Sequence, residues 1–435
     1  MPDCVGGTEI YTLRLAQHLK RTGIEAAILI PYFDHTVTSE YEYEGIKVIR
    51  YAEASIEDRQ MIMGKRKPSG LAAFVEVLKK ERASIIHFHE LAPGRGVSIF
   101  HVQQAHELNI PIVLTFHLSY YTCIKGSLIY KEAEKCDGVI RIRRCTECVY
   151  QSKHITSIKA TLLSTAATTL FKTGINSTAL NNSFGTALGF PYVIDKIKSD
   201  LLSLAGMVEK IVLVANWYRN ILEENGVPAN KMVYIKQGLT NEVKTIFNDT
   251  GSINLPLKVV FIGRICELKG VHLLIDAVCR MPEEKISLHI YGQVTEEGYA
   301  LACKQRSASK KNIHWEGVIA SEIVIPTLSK YHLLCLPSTF SEMSPLVIQE
   351  AFAARIPVLA SDVYGNAEQI IDGENGWLFK YNDLEHLIYT LNQLINHPGL
   401  IESAKAKILQ PNTFETVAKE HSEIYSAVIK NYRSL

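Results

Sequence analysis

The stretch that decides the fold runs from Thr339 to Gly376 and reads TFSEMSPLVIQEAFAARIPVLASDVYGNAEQIIDGENG. It follows a short apolar run, Leu333-Leu334-Cys335-Leu336, closed by Pro337-Ser338. A brief, continuous apolar run bounded by turn residues reads as a buried parallel strand. Ser344-Pro345 reads as a helix start: serine can cap the first N–H groups, and proline lacks the N–H that the first helical position would leave unpaired. A helix is expected from there to about Ala354, and Pro357-Val358-Leu359-Ala360 is the next strand. The loop therefore opens onto a helix N-terminus, where outward N–H groups and the helix dipole favour an anion. Glu342 lies in the loop and Glu350 inside the helix. Carboxylates do not bind phosphate, but they accept hydrogen bonds from hydroxyls, of which a sugar nucleotide has many. The spacing alone leaves open a plainer reading, a solvated loop glutamate and a structural helix glutamate.

Glu342-x7-Glu350, followed by Ala351-Phe352-Ala353 and the Pro357-Val358 strand, closely resembles the donor-binding segment of family 4 glycosyltransferases. The resemblance extends over nearly the whole chain. It implies an α/β fold of the GT-B type, two Rossmann-like, doubly wound domains facing each other across a cleft. It implies that Glu350 holds the ribose hydroxyls of a nucleotide, that Glu342 contacts hydroxyls of the transferred sugar, and that the backbone around Ser344, Pro345 and Leu346 faces phosphates and sugar.

With 435 residues, two domains are the default expectation. The chain is 47% apolar and 21% charged, ordinary for a globular protein with a sizeable core. A net charge of +1 gives no argument for nucleic acid. No apolar run approaches the roughly 18 residues that a membrane span requires. Nine cysteines fall short of a disulfide scaffold at this length, so the chain reads as cytoplasmic, with peripheral attachment to the inner face of a membrane left open.

Taken in order, the chain opens with MPDCVGG, and a helix is expected from Thr8 to Thr22 with Thr8 as its cap. Gly6-Gly7 before a helix is a turn that lets a ligand approach the backbone. Gly6-Gly7-x-Glu9 resembles the family's glycine-rich loop, which ordinarily follows a first strand. Only MPDCV precedes it here, too short for that strand. The expectation is a start upstream of Met1 or a weakened domain with two strands left unpaired. Strands are expected at 26–30, 47–51, 85–89 and 112–117, with a helix at 71–80, the alternation of a parallel sheet. His89 and His117 stand at strand ends, where such sheets bind ligands. Lone histidines there are most often structural. LTFH, however, matches the family's position for a histidine that reaches the donor sugar, which the resemblance assigns to His117. His89 is an acceptor-side candidate.

An insertion then carries Cys123, Cys136, Cys145 and Cys148, the last two as C-x2-C. Thiolates in such a pattern can hold a structural, tetrahedral zinc; four unconnected small residues is the competing reading. The same loop is basic, with Lys125, Lys131, Lys135, Arg141, Arg143 and Arg144. That suits either a solvated surface or an anionic acceptor or membrane surface. Residues 151–205 read as largely helical around a Ser/Thr/Asn-rich loop near 173–182. Domain one is expected to span 1–243, with the C-terminal helix, 414–435, packing back on it or simply capping the end. Domain two is expected to span 244–413.

Domain two begins with LKVVFIGR, residues 257–264, a buried strand ending at Gly263-Arg264, with Lys269-Gly270 and an apolar helix beyond. Bidentate guanidinium and a point-charge ammonium can clamp a diphosphate. GR-x4-KG after a strand resembles the family's diphosphate clamp. The resemblance further places Gly292 near the nucleotide and Val318-Ile319 near its base. The chain thus reads as a glycosyltransferase moving a sugar from a nucleoside-diphosphate donor to an acceptor hydroxyl, on a glycan or lipid-linked saccharide. Arg264 and Lys269 would stabilise the leaving diphosphate. No Asp-x-Asp motif is present, and no catalytic metal or cofactor is expected. The family resemblance implies retention of anomeric configuration. The alternative is a catalytically weak or inactive binding subunit of the same fold. An epimerase or a phosphorylase would require residue sets that the sequence lacks.

Overall fold

The computed structural model describes residues 6–53, 66–92, 96–175, 177–179, 182–239 and 253–433. Residues 1–5, and with them the question of a first strand, lie outside the described residues. The chain divides into two compact units. The first comprises 1–132, 136–236 and 414–435; the second comprises 133–135 and 237–413.

Among the described residues the first unit holds two sheets of three or more strands. In one, β1 (Ala27–Phe33) pairs in parallel with β3 (Ile46–Glu53), and β2 (Ser39–Tyr43) lies antiparallel on the other side of β3. The sequence SEYEY gave β2 no apolar stripe, and it was not expected. The other sheet is parallel, in the order β4 (Ile86–His89), β5 (Ile112–Phe116), β6 (Lys210–Leu213) and β7 (Met232–Tyr234). Among the described residues β1 and β4 each form an edge of their own sheet. The first helix spans Gly7–Arg21 and packs Tyr11, Leu15 and Leu19 against Val113, Val212 and Ile235. The C-terminal helix, Phe414–Arg433, completes this core with Phe414, Val417, Ala418, Tyr425 and Val428. Thr8 does not cap the first helix: Gly6 holds the cap position without a side-chain bond, and Thr8 is already inside the first turn.

The second unit is one six-stranded parallel sheet. Its strands are β8 (Leu257–Ile262), β9 (Ile286–Tyr291), β10 (Ile313–Gly317), β11 (Leu333–Leu336), β12 (Val358–Ser361) and β13 (Gly376–Phe379). The spatial order is β10-β9-β8-β11-β12-β13, so the chain turns back between β8 and β11. Alternate residues along β8 serve different cores. Val259 and Phe261 pack beneath the helix Val271–Cys279, whereas Val260 and Ile262 pack with Ile348 and Phe352 of the helix Leu346–Ala353. A sheet covered on both faces explains why its strands read as unbroken apolar runs rather than as alternation. In such doubly wound sheets a ligand sits outside the carboxyl ends of the strands where the order reverses, here the ends of β8 and β11.

Candidate functional site

Two loops meet at that reversal. One leaves β8 through Gly263-Arg264 and reaches Lys269 through a short 3-10 turn, Glu267–Lys269. The other leaves β11 through Pro337-Ser338 and runs to the helix that begins at Leu346. Their backbones are stitched together: Thr339 N–H donates to Leu268 O (2.9 Å) and Thr339 Oγ1 to Glu267 O (2.9 Å). Gly270, with φ +66°, makes this approach possible, since a Cβ there would lie 1.9 Å from Pro337 O. On the other side of β8, Gly292 passes so close to Gly263 that a Cβ would lie 1.7 Å from its carbonyl oxygen. Any side chain at either glycine would force the strand ends apart.

Lys269 and Glu342, expected to serve diphosphate and sugar respectively, are brought together as an ion pair at 2.5 Å. Glu342 is 6% exposed, and Ser338 Oγ donates a second hydrogen bond to the same oxygen at 2.8 Å. Ser338 is held in turn: Ser361 Oγ donates to its carbonyl (2.7 Å), and Asn366 Nδ2 donates to Ser361 O (3.1 Å). These three buried residues form a polar buttress behind the glutamate. Sequence reading did not single out Ser361 and Asn366, because no spacing rule links residues that meet only through the sheet. Lys269 Nζ also lies 5.3 Å above the Phe340 ring. Arg264 is exposed and has no partner among the described residues.

Glu350 is the fifth residue of the helix Leu346–Ala353 and is half-buried, with no side-chain partner among the described residues. Burial pushes its carboxyl up to about 7. A carboxyl in this condition gains from any hydroxyl that donates to it. Ser344 does not cap the helix. Pro345 (φ −65°, ψ 117°) is itself the cap residue, so the serine hydroxyl stands one position too early to reach the first amides, and no side-chain cap is made. The helix start is left to whatever donates or accepts there. Val318, expected near a nucleotide base, is 74% exposed.

In the first unit, Gly6 and Gly7 form the start of the first helix. His117 follows β5, and His89 Nδ1 meets its Nε2 at 3.3 Å. Both belong to a larger group of rings. His87 bonds Tyr425 OH (2.6 Å) and Thr115 Oγ1 (2.7 Å), His421 bonds Tyr11 OH (2.8 Å), and Tyr11 stands edge-on to His117 at 5.2 Å. Burial lowers all four imidazoles, with His117 near 4 and His421 near 3, so they are neutral at physiological pH. Sequence reading assigned His421 no role; its bond to Tyr11 spans nearly the whole chain and carries no local signal.

The four cysteines of the insertion line one small cavity, of about 30 Å³, together with Lys125 and Arg144. Cys145 and Cys148 project from one helix, Ile142–Ser152. Burial raises the Cys145 thiol to about 11, Cys148 Sγ points to Ile129 O (3.7 Å), and Cys136 Sγ lies 3.9 Å from Asp137 Oδ1. Among the described residues no group of three or more His, Cys, Asp or Glu is set to hold a metal ion. The four thiols are thus gathered around one cavity, with the Sγ atoms of Cys136 and Cys148 directed at protein oxygens. Nor is any helix among the described residues long and apolar enough to cross a membrane.

Both units find counterparts among known proteins. Residues 5–156 match the family model described as Glycosyltransferase Family 4, and residues 242–410 match that of Glycosyl transferases group 1. An uncharacterized glycosyltransferase of Methanocaldococcus jannaschii is 28% identical over 229 residues, covering 49% of this chain and 61% of that protein. The amylovoran biosynthesis glycosyltransferase AmsK of Erwinia amylovora is 24% identical over 239 residues, 52% of this chain and 58% of that one. The chain thus matches about three fifths of the length of these two relatives. Among solved structures, HepE of Anabaena in complex with UDP and glucose superimposes with a TM-score of 0.61 at 15% identity, covering 97% of this chain and 96% of the other. Sucrose-phosphate synthase from Thermosynechococcus elongatus gives 0.65 at 15% identity, with 98% and 94% covered. At such identities the likeness establishes the fold, the GT-B arrangement of two Rossmann-like domains.

Proposed function

The chain belongs to glycosyltransferase family 4, and from that premise we propose that it transfers a sugar from a nucleoside-diphosphate donor to an acceptor hydroxyl with retention of configuration. The observation that carries this reading is the Lys269–Glu342 pair at the reversal point of the second sheet, on the same two strand-end segments that carry Arg264, Glu350 and a helix start without a side-chain cap. Glu350 would take the ribose hydroxyls, the role that the family resemblance implies, and its half-buried carboxyl would gain hydrogen bonds there. Arg264 and Lys269 would take the diphosphate, and their charge would stabilise the negative charge that builds on it as the glycosidic bond breaks. Glu342 would hold hydroxyls of the sugar. It is paired with Lys269, so a donor would exchange that pair for two new ones, diphosphate on the lysine and sugar on the glutamate. The amides at Ser344–Leu346 would face the phosphates and sugar. Gly263 and Gly292 would keep the floor of the site open.

His117 is assigned to the transferred sugar, with Gly6 and Gly7 as the backbone approach in the same unit. This assignment rests on the family resemblance. The two cations supply the charge that a divalent metal would otherwise supply, so transfer is expected to withstand EDTA. The acceptor is proposed as a glycan or lipid-linked saccharide, by analogy with relatives such as the amylovoran enzyme. A panel of nucleotide sugars, scored by nucleoside-diphosphate release and by shift of melting temperature, tests the reading. One donor should be turned over, and its diphosphate product should stabilise the fold. If no nucleotide sugar is bound, the site assignment fails. Binding with no turnover on any acceptor would leave the inactive binding subunit as the reading.

A further inference from the structure

Sequence reading assigned Glu90 no role, yet the structure holds it firmly from several sides. It follows β4 directly and holds φ at +70°, a left-handed conformation that glutamate seldom adopts. Its own N–H donates to Thr115 O at 3.1 Å, which locks the turn against β5. Its side chain then folds toward the loop after β5, where Oε2 accepts the N–H groups of both His117 and Leu118, each at 2.8 Å. The neighbouring Tyr121 hydroxyl bonds the carboxylate and accepts the Leu91 N–H at 2.8 Å. A strained backbone held by five hydrogen bonds, the Leu91 N–H to Oε1 (3.4 Å) among them, is over-determined, the condition under which such strain persists at functional sites.

We propose that Glu90 is a positioning residue for transfer: its carboxylate clamps the two successive amides that open the loop after β5 and so fixes where the His117 imidazole stands. The assignment rests on the reading of His117 given above. The clamp uses one oxygen for two donors, which only an acceptor at that place can provide. Charge-assisted bonds of this kind are about twice as strong as neutral ones. The clamp is therefore tightest when the group is ionised. Burial pushes the Glu90 carboxyl up to about 7, against the opposing pull of the Tyr121 hydroxyl and the amides of His117, Leu118 and Leu91. The titratable groups facing it are His117 and His89 at the strand ends and the buried Tyr121 and Tyr218. Both histidines are held neutral by burial, so neither competes for the proton near pH 7.

Glu90→Ala and Glu90→Gln in the full chain separate positioning from mere folding. Alanine removes the acceptor, and kcat should fall by about 100-fold, as a misplaced catalytic group does, while the KM for donor changes little. Glutamine keeps a neutral acceptor. It should restore part of kcat and give a rate flat through pH 7, level with the acid plateau of the wild type. The wild-type rate should rise as the carboxyl ionises through that pH. Hydrogen exchange of the His117 and Leu118 amides gives a readout without turnover: it should quicken by about tenfold or more in the alanine variant and stay slow in the glutamine variant. If the wild type turns over no donor, the functional reading fails, and the exchange experiment still judges the clamp. Wild-type kcat in Glu90→Ala, unchanged exchange in that variant, or a pH limb that survives in kcat at saturating donor in Glu90→Gln would overturn the proposal.

Discussion

The strand ends of the two units are filled in opposite ways. In the second unit, the ends of β8 and β11 carry ionised groups at the edge of solvent: an exposed Arg264, and Lys269 paired with a buried Glu342. In the first, the ends of β4 and β5 carry His87, His89 and His117, which pack with Tyr11, His421 and Tyr425 and are held neutral by burial. The same topological position can therefore be built as a charged receptor or as a neutral aromatic cluster. A charged receptor works at the expense of self-repulsion or of pairing that a ligand must displace. A neutral cluster contributes to stability, but only at pH values where no ring takes a proton.

The sharpest way to break this contrast lies in the second unit. Arg264→Ala and Lys269→Ala should each lower turnover by about 100-fold or more, the usual cost of losing a charge that stabilises a developing anion. The two should differ in stability. Arg264 has no partner among the described residues, so its loss should leave the melting temperature unchanged. Removing Lys269 leaves Glu342 buried with only the Ser338 bond, and breaking a buried pair costs about 3–5 kcal/mol. Equal turnover in wild type and either variant would remove the clamp. Equal melting in both variants would mean that the Lys269–Glu342 pair contributes nothing to the fold.

The first unit should fail in acid. The imidazoles of His87, His89, His117 and His421 have folded values below the ordinary value near 6.5, so the unfolded chain binds protons that the folded chain refuses. Stability is fully present above about 6.5 and is lost as pH falls toward the folded values. For His117 and His421 those are about 4 and 3. Each histidine contributes a slope of up to about 1.4 kcal/mol per pH unit in that window. Hydrogen exchange between pH 7 and 5 should show the first helix and the C-terminal helix losing protection before β8–β13. Uniform loss across both units would refute the contrast. Glu350 gives the complementary, smaller effect in the second unit. Burial pushes its carboxyl up to about 7, and the ionised form would be the stronger acceptor for the ribose hydroxyls proposed to bind there. The apparent donor KM should rise as pH drops below 7, and Glu350→Gln should flatten that dependence while weakening binding by about tenfold.

Much of the second unit was legible in its sequence. LKVVFIGR, LLCL and PVLA are buried on both faces, and a continuous apolar run is the one strand signal that survives without alternation. The charged groups there sit within a few residues of strand ends, so topology delivers them to the site. The first unit was less legible. SEYEY showed no stripe because β2 is exposed along most of its length. Caps at Thr8 and Ser344 were misplaced by one or two residues, since a glycine or proline in the cap position leaves no side-chain signature. Glu90, Ser361, Asn366 and His421 act through partners distant in sequence, and no periodicity encodes such contacts.

The mildest test of the contrast is one hydroxyl in each unit. Tyr11→Phe removes the bond between the first helix and His421 of the C-terminal helix. His421 is fully buried, and its Nδ1 already lacks a partner, so the change would leave both ring nitrogens unsatisfied. An unsatisfied buried polar group costs about 1–3 kcal/mol, and the loss should appear as a lower melting temperature with little change in donor KM. Ser338→Ala removes a hydroxyl of similar burial, but its partner Glu342 retains the Lys269 cation. Stability should move by about 1 kcal/mol or less, while turnover falls as the glutamate loses one of its two restraints. The two variants should thus separate cleanly, one in melting and the other in rate. A Tyr11→Phe protein as stable as the wild type would mean that the ring packing alone holds the two helices together. The neutral cluster would then owe nothing to its hydrogen bonds.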